Sequence, residues 1–404
     1  MLNWINGFSI FCFLDNNNYD IAPHNYELVV AAGAKSSITS TNKSFSEIDH
    51  FIKGKGWVFG HLSYDLKNEF FTLPEPKCDS LKFPLFFFFE SEVVITLKSN
   101  VLTIEATDPH DVFNKINEQT PSQEKQSSVT LNQRLTKEEY ISKIQALQEH
   151  IHLGDCYEIN FCQEFYAEDA LIDPLAVYKS LAAISPMPFG AFYKLDDKYL
   201  LCASPERFLC KEGNTITAQP IKGTAKRNKS DATLDEEEKA NLRKSQKEQA
   251  ENVMIVDLMR NDLSKISADA SVHVPELFGI YTFPQVHQMI STISGTVKED
   301  ISFSQIITAT FPMGSMTGAP KKRVVELIDE YEVSARGLFS GSVGYIHNGD
   351  FDFNVVIRSL LYNASTKYLS YHVGSGITFY SQPEKEWEEC LLKAEGMRKA
   401  LGLQ

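Results

Sequence analysis

The stretch from Tyr157 to Ile221 constrains the fold most, because its strand signals turn back on themselves. Tyr157, Ile159, Phe161 and Phe165 alternate with Glu158, Asn160, Cys162 and Glu164, the period of a strand with one polar face. Gly190 to Leu195 and Lys198 to Ala203 meet at Asp196-Asp197, and Phe208 to Lys211 and Thr215 to Ile221 meet through Gly213-Asn214, as antiparallel hairpins do. Ahead of them, Thr136 and Glu139 form a capping box for a helix with apolar residues at Tyr140, Ile144, Leu147 and Ile151 and a stop at Gly154. Further helical pattern runs from about Leu234 to Leu263, in more than one piece, and from about Glu384 to Leu401. Strands and helices come in blocks, which predicts an α+β fold with mostly antiparallel sheet and excludes a doubly wound dinucleotide fold.

The polar segment TPSQEKQSSVT, Thr120 to Thr130, has almost nothing to bury. It divides the chain into a β-rich N-terminal lobe (1–120), a linker or loop (121–133) and a longer C-terminal region (134–404). Strand-like runs in the first lobe are Trp57 to Tyr64, Phe83 to Phe89, Glu92 to Leu97 and Val101 to Ala106. With 404 residues and a net charge of −14, the chain suits a two-lobed globular protein and argues against nucleic acid or an anionic membrane as its main partner. No apolar run approaches the ~18 residues that cross a bilayer. The N-terminus lacks a basic region and a small-residue cleavage site, and the seven cysteines contain no CxxC pair. These features predict a cytoplasmic protein with reduced thiols.

Among residues able to carry chemistry, two Glu-x-x-Glu pairs stand out: Glu248 with Glu251, and Glu386 with Glu389. Residues three apart share a helix face. Solvated surface is the default for such pairs, but if the two faces met, four carboxylates would call for a hard cation such as Mg²⁺. Lys222 ends a strand beside Gly223; a surface lysine is the default, and the alternative is a nucleophile whose neutral amine is favoured by desolvation. Glu206, in a turn between hairpins, is a candidate general acid if burial raises its pKa. Arg358 is a candidate carboxylate clamp. Gly314 to Lys321 fails the phosphate-loop spacing and reads as a turn into a helix near Pro320. His150 and His152 do not share a helix face and are rejected as metal ligands.

Together the motifs resemble the chorismate-utilising enzymes. The matching stretches are ASPERF (Ala203 to Phe208), PIKGT (Pro220 to Thr224), AENVMIVDLMRNDL (Ala250 to Leu263), VPELFGIYTFPQVHQMIST (Val274 to Thr292), FPMGSMTGAPKKRVVELIDE (Phe311 to Glu330), RGLFSGSVGYI (Arg336 to Ile346), VVIRSL (Val355 to Leu360), VGSGI (Val373 to Ile377) and EKEWEECLLKA (Glu384 to Ala394), in family order. The resemblance implies a two-lobed antiparallel β-sandwich core with helices packed outside.

Lys222 before Gly-Thr is similar to the aminodeoxychorismate synthases, where anthranilate synthases usually have Ala. That likeness implies attack by Lys222 on C2 of chorismate while the C4 hydroxyl leaves with help from Glu206, then addition of ammonia at C4. It further implies Mg²⁺ on Glu251 and Glu389, with Glu248 and Glu386 in support. Substrate positions implied are Gly223, Thr224 and Thr317 on the lining turns, and Tyr345, Arg358 and the backbone of Gly374, Ser375 and Gly376 at the enolpyruvyl carboxylate. Implied partners are a separate glutamine amidotransferase supplying ammonia and a downstream aminodeoxychorismate lyase on the route to 4-aminobenzoate and folate. The alternatives are anthranilate synthase component I and an inactive chorismate-binding regulatory subunit. Three positions depart from the family pattern: Glu158 stands where the amine-transferring members commonly have Gln, Glu164 where a basic residue is usual, and Gln288, beside His287, where the anthranilate synthases have a histidine.

Overall fold

Thr136 closes the capping box at the head of the helix Lys137–His152: its Oγ1 accepts from Glu139 N at 3.2 Å, and Glu139 Oε2 accepts from Thr136 N at 2.8 Å. Tyr140, Ile144, Leu147 and Ile151 are buried along one side, and Gly154, at φ +83°, ends the run. The computed structural model describes residues 1–403 except 24, 42, 75–76 and 120–127.

The next strand, Glu158–Ala167, is buried on both faces, so its polar side points into the protein rather than to water. Tyr157, just before it, is 70% exposed. Around this strand, nineteen strands of the described residues join one hydrogen-bonded system whose pairings are antiparallel, among them Glu158–Ala167 with Tyr368–Thr378 and Phe189–Leu195 with Lys198–Ser204. Two expected runs merge into one long strand, Phe86–Lys98. Strands from either side of the predicted linker pair directly: Ile10–Asp15 with Phe189–Leu195, and Trp57–Leu62 with Ser342–His347. Of that linker, 120–127 lies outside the described residues, whereas Asn132–Gln133 pairs with Tyr166 and Phe165.

Helices cover the sheets from outside, giving the α+β architecture. Ile255, Val256, Met259 and Leu263 of Gln246–Ile266 pack into one core with Phe208 and Phe353. Lys137–His152, Pro174–Ile184 and Pro383–Ala400 bury their apolar sides in a second core with Phe161, Phe192 and Tyr371. At about 25 cal/mol per Å² of apolar surface, burial of this kind is the main stabilising contribution. No helix of the described residues is long and apolar enough to cross a membrane.

Two local breaks position the site. The long helical pattern divides at Ser245 into Ala232–Lys244 and Gln246–Ile266, and Ser245 Oγ accepts from Glu248 N at 3.4 Å. That cap places Glu248 in the first turn of the second helix. Pro220, which has no N–H to give a ladder, separates Thr215–Gln219 from Ile221–Lys226. The second of these strands pairs with Val286–Thr296, and its register shifts between Ile221 and Thr224, at the site of Lys222.

Candidate active site

Lys222 reaches inward, and its Nζ donates to Glu158 Oε1. The Glu158 side chain is 1% exposed and that of Lys222 11%. Burial disfavours the ammonium, but the Glu158 carboxylate, with Glu251 and Glu206 beyond it, holds the Lys222 pKa above the ordinary lysine value. The sequence-based expectation of a neutral amine is therefore corrected: Lys222 rests as an ammonium because a carboxylate shares its pocket. Gly376, on the neighbouring strand, leaves room for the pair.

Glu206 sits in the turn between Lys198–Ser204 and Arg207–Glu212, fixed by its own N–H to Ser204 Oγ at 3.2 Å and by Val355 N to its carbonyl at 3.0 Å. Burial pushes its carboxyl up to about 7, with Ser315, the Lys222 charge and the Ile221 backbone opposing. Such a group carries a proton near neutrality, as a general acid must.

The two Glu-x-x-Glu pairs come to one place. Burial pushes Glu251 up to about 7 against the pull of Lys222, and Glu158 adds to the rise. Burial also raises Glu248, with Lys247 opposing and Glu389 reinforcing. Partial desolvation works against ionisation of Glu389, whose side chain is still 46% exposed, yet Lys393, 2.5 Å from its Oε1, leaves its pKa below the ordinary value. Lys247 lies 3.8 Å from Glu251 Oε1 and feels all four carboxylates, including the buried Glu386. Among the described residues, no three His, Cys, Asp or Glu side chains already stand together as a metal cage. Lys247 and Lys393 set positive charge beside Glu251 and Glu389.

The remaining predicted residues divide. Gly223 has φ +94°, and a Cβ there would stand 3.0 Å from Glu248 Oε2, so glycine satisfies both the backbone and the close approach. Arg358 is a non-glycine residue at φ +53°; burial lowers its pKa and Glu389 opposes that. Gly374 and Gly376 share one face of Tyr368–Thr378 by strand alternation. Ser375 faces the other way, toward Tyr140, so only its backbone is offered with theirs. Thr317 is buried with its hydroxyl donating to Met313 O at 3.0 Å, while Thr224 is exposed.

Tyr345 does not join Arg358. Its ring packs with Tyr26, Trp57 and Phe59, and it lines a separate cleft with Arg207 and Asp352. Its strand, Ser342–His347, pairs with Trp57–Leu62 and carries it into that aromatic cluster. Lys321, in the turn that fails as a phosphate loop, is tied to Asp262 and to Thr310 O at 2.9 Å. The two rejected histidines are held apart: His150 bonds Asp155 and Tyr331, and His152 packs on Phe379. Residues absent from the predicted site but present in it are Glu158, Ser315, Lys247 and Lys393. The signal for Glu158 was its place on the polar face of a strand.

The sequence pattern of the family described as chorismate binding enzyme matches residues 17–399. Aminodeoxychorismate synthase component 1 of Escherichia coli (strain K12) is 35% identical over 353 residues, covering 86% of this chain and 77% of that one. The chloroplastic aminodeoxychorismate synthase of Arabidopsis thaliana is 42% identical over 272 residues, 66% of this chain but only 29% of that longer protein. Among solved structures, anthranilate synthase component I from Streptococcus pneumoniae TIGR4 aligns with a TM-score of 0.82 and 22% identity, covering 94% of this chain and 93% of that one. The menaquinone-specific isochorismate synthase from Escherichia coli aligns at 0.81 with 17% identity, covering 99% and 91%. The two solved structures share the fold, and the family pattern spans nearly the whole sequence: the chain belongs to the chorismate binding enzymes.

Proposed function

We propose that this chain converts chorismate and ammonia to 4-amino-4-deoxychorismate, on the way to 4-aminobenzoate and folate. The observation that carries the reading is Lys222, set between Glu158 and a Glu206 pushed up to about 7, in a family defined by chorismate binding. The names of the bacterial and plant relatives support the same activity. Ammonia comes from a separate glutamine amidotransferase, a separate lyase consumes the product, and the protein works in the cytoplasm.

Lys222, once deprotonated, attacks C2 of chorismate. Both double bonds of the ring diene shift, from C1=C2 and C5=C6 to C1=C6 and C4=C5, as the C4–O bond breaks, and Glu206 protonates the departing hydroxyl to give water. Ammonia then adds at C4 as the C2–N bond breaks, and two allylic displacements leave the C4 configuration unchanged. Arg358 and the N–H groups around Gly374 and Gly376 orient the enolpyruvyl carboxylate.

The four glutamates fit Mg²⁺ by donor chemistry, all being hard oxygen ligands with no thiolate or imidazole among them. Glu251 and Glu389 would hold it, with Glu248 and Glu386 supporting, and the raised Glu248 and Glu251 are the groups a cation would relieve. When bound, the ion supplies positive charge to the substrate's ring carboxylate.

Incubation of the purified chain with chorismate, an ammonium salt and Mg²⁺, followed by product identification with and without added lyase, tests the reading. 4-Aminobenzoate is expected only with the lyase. Fluorescent anthranilate formed without it would establish the anthranilate synthase alternative instead.

A further inference from the structure

Lys222 is poised in the protonated form, yet its proposed attack on chorismate needs a lone pair. Some group must take the proton, and burial keeps bulk water from being that acceptor. Three carboxylates face Lys222: Glu158 from Glu158–Ala167, Glu206 from the hairpin turn and Glu251 from Gln246–Ile266. Glu248 and Glu389 also feel its charge from farther away. Glu206 must keep its own proton for the leaving hydroxyl. Of the three, Glu158 makes the direct ion pair.

We propose that Glu158 takes the proton from the Lys222 ammonium before attack and returns it when the C2–N bond breaks. The geometry suits a shuttle. Glu158 is anchored through the backbone on both sides, in register with Thr378 on one strand and Ala319 on another. Its Oε1 meets Lys222 Nζ, while its buried Oε2 has no hydrogen-bond partner among the described residues. An oxygen left free in this way can hold the acquired proton without breaking a protein contact. Gly376 keeps the space around the pair clear.

The proton count closes. Transfer from Lys222 to Glu158 gives a neutral amine and a carboxylic acid. The amine forms the C2–N bond, and the C4 hydroxyl leaves with the Glu206 proton as water, which leaves a secondary ammonium at C2 and a Glu206 carboxylate. Ammonia attacks C4 and the C2–N electron pair returns to Lys222, whose amine recovers its proton from Glu158. The new C4 ammonium gives one proton to Glu206, and both acids are restored.

This inference rests on the proposed chemistry, and Glu158→Gln separates the two. The amide keeps the shape but cannot take the proton. In the whole 404-residue chain it is expected to lower kcat/KM by about 10²- to 10⁴-fold near neutrality, the usual range for a proton-transfer group. The shape of the pH profile is the sharper readout. Below neutrality, with free ammonia held constant, the wild-type profile is expected to be level, because one proton only moves within the pair. The variant should climb about tenfold per pH unit there, since its lysine must lose a proton to solvent.

A variant profile parallel to wild type, or a loss under threefold, overturns the role of Glu158 while leaving the reaction intact. Wild-type protein that makes no aminodeoxychorismate overturns the reaction itself. Should the variant not fold, acetylation of Lys222 in the wild type, followed by peptide mass spectrometry, gives the same answer. Its rate should be level with pH where that of exposed Lys43 climbs, and a parallel climb overturns the shuttle.

Discussion

Gly376 faces Glu158 so closely that a Cβ there would stand 2.5 Å from Glu158 Oε1, and 2.9 Å from Lys222 Nζ. Both neighbours are the ends of flexible side chains, so Gly376→Ala is expected to displace the ion pair rather than unfold the strand. Activity should fall by roughly ten- to a hundredfold, the scale of a misplaced reacting group, while stability changes by less than about 1 kcal/mol. Steady-state kinetics and a thermal melt on one preparation check this. A large drop in melting temperature would contradict it.

Glu206 links activity and stability to pH with the same sign, since both are favoured by its protonated form. Its folded pKa, about 7, exceeds the ordinary carboxylate value, so the native state binds more protons than the unfolded chain between the two. Stability should therefore fall as pH rises through that window, by on the order of 3 kcal/mol when it is complete. Glu206→Gln removes that cost. The variant should melt higher than wild type at pH 8, match it more closely at pH 5, and lose about 10²- to 10⁴-fold in kcat. A lower melting temperature at pH 8 would rule out the sign.

The metal prediction is read without turnover. Mg²⁺ at ten times its Kd should stabilise the native protein by about 1.4 kcal/mol. Glu251→Gln and Glu389→Gln should each remove most of that gain, since each takes a charged oxygen from the shared face of Gln246–Ile266 and Pro383–Ala400. Scanning calorimetry across a Mg²⁺ titration measures it, and an undiminished shift in both variants would move the ion elsewhere.

Arg358 holds a guanidinium at a strained backbone position, φ +53°, within reach of the Glu389 charge. Arg358→Met should raise KM for chorismate by about tenfold or more, the loss of one charge-assisted bond, with a smaller effect on kcat. An unchanged KM would remove Arg358 from the carboxylate site.

The sequence made local structure legible wherever a local cause existed. The Thr136 and Glu139 cap, the Asp196-Asp197 hairpin and the division of the long helical stretch each follow from residues within a turn of one another. Lys222 and Glu206 were visible as candidates, and so were the glutamate pairs. Period-two alternation identified Glu158–Ala167 as a strand but did not show that its polar side is buried. Tyr345 was grouped with Arg358 because the family resemblance matched both to the enolpyruvyl carboxylate. The pairing of Ser342–His347 with a strand near the N-terminus carries Tyr345 into a different cleft, and only tertiary structure reveals that. The protonation of Lys222 was misjudged for a similar reason, since its partner comes from a distant strand.

The helix Pro383–Ala400 carries Glu386, Glu389 and Lys393 and is seated by Trp387, Cys390 and Met397 in the core beside Tyr140. Its carboxylates meet those of Gln246–Ile266 only once it docks. A chain in which that helix is undocked thus holds Lys222 and Glu158 without the face opposite them. The acidic face is therefore a product of tertiary docking, which neither helix holds alone.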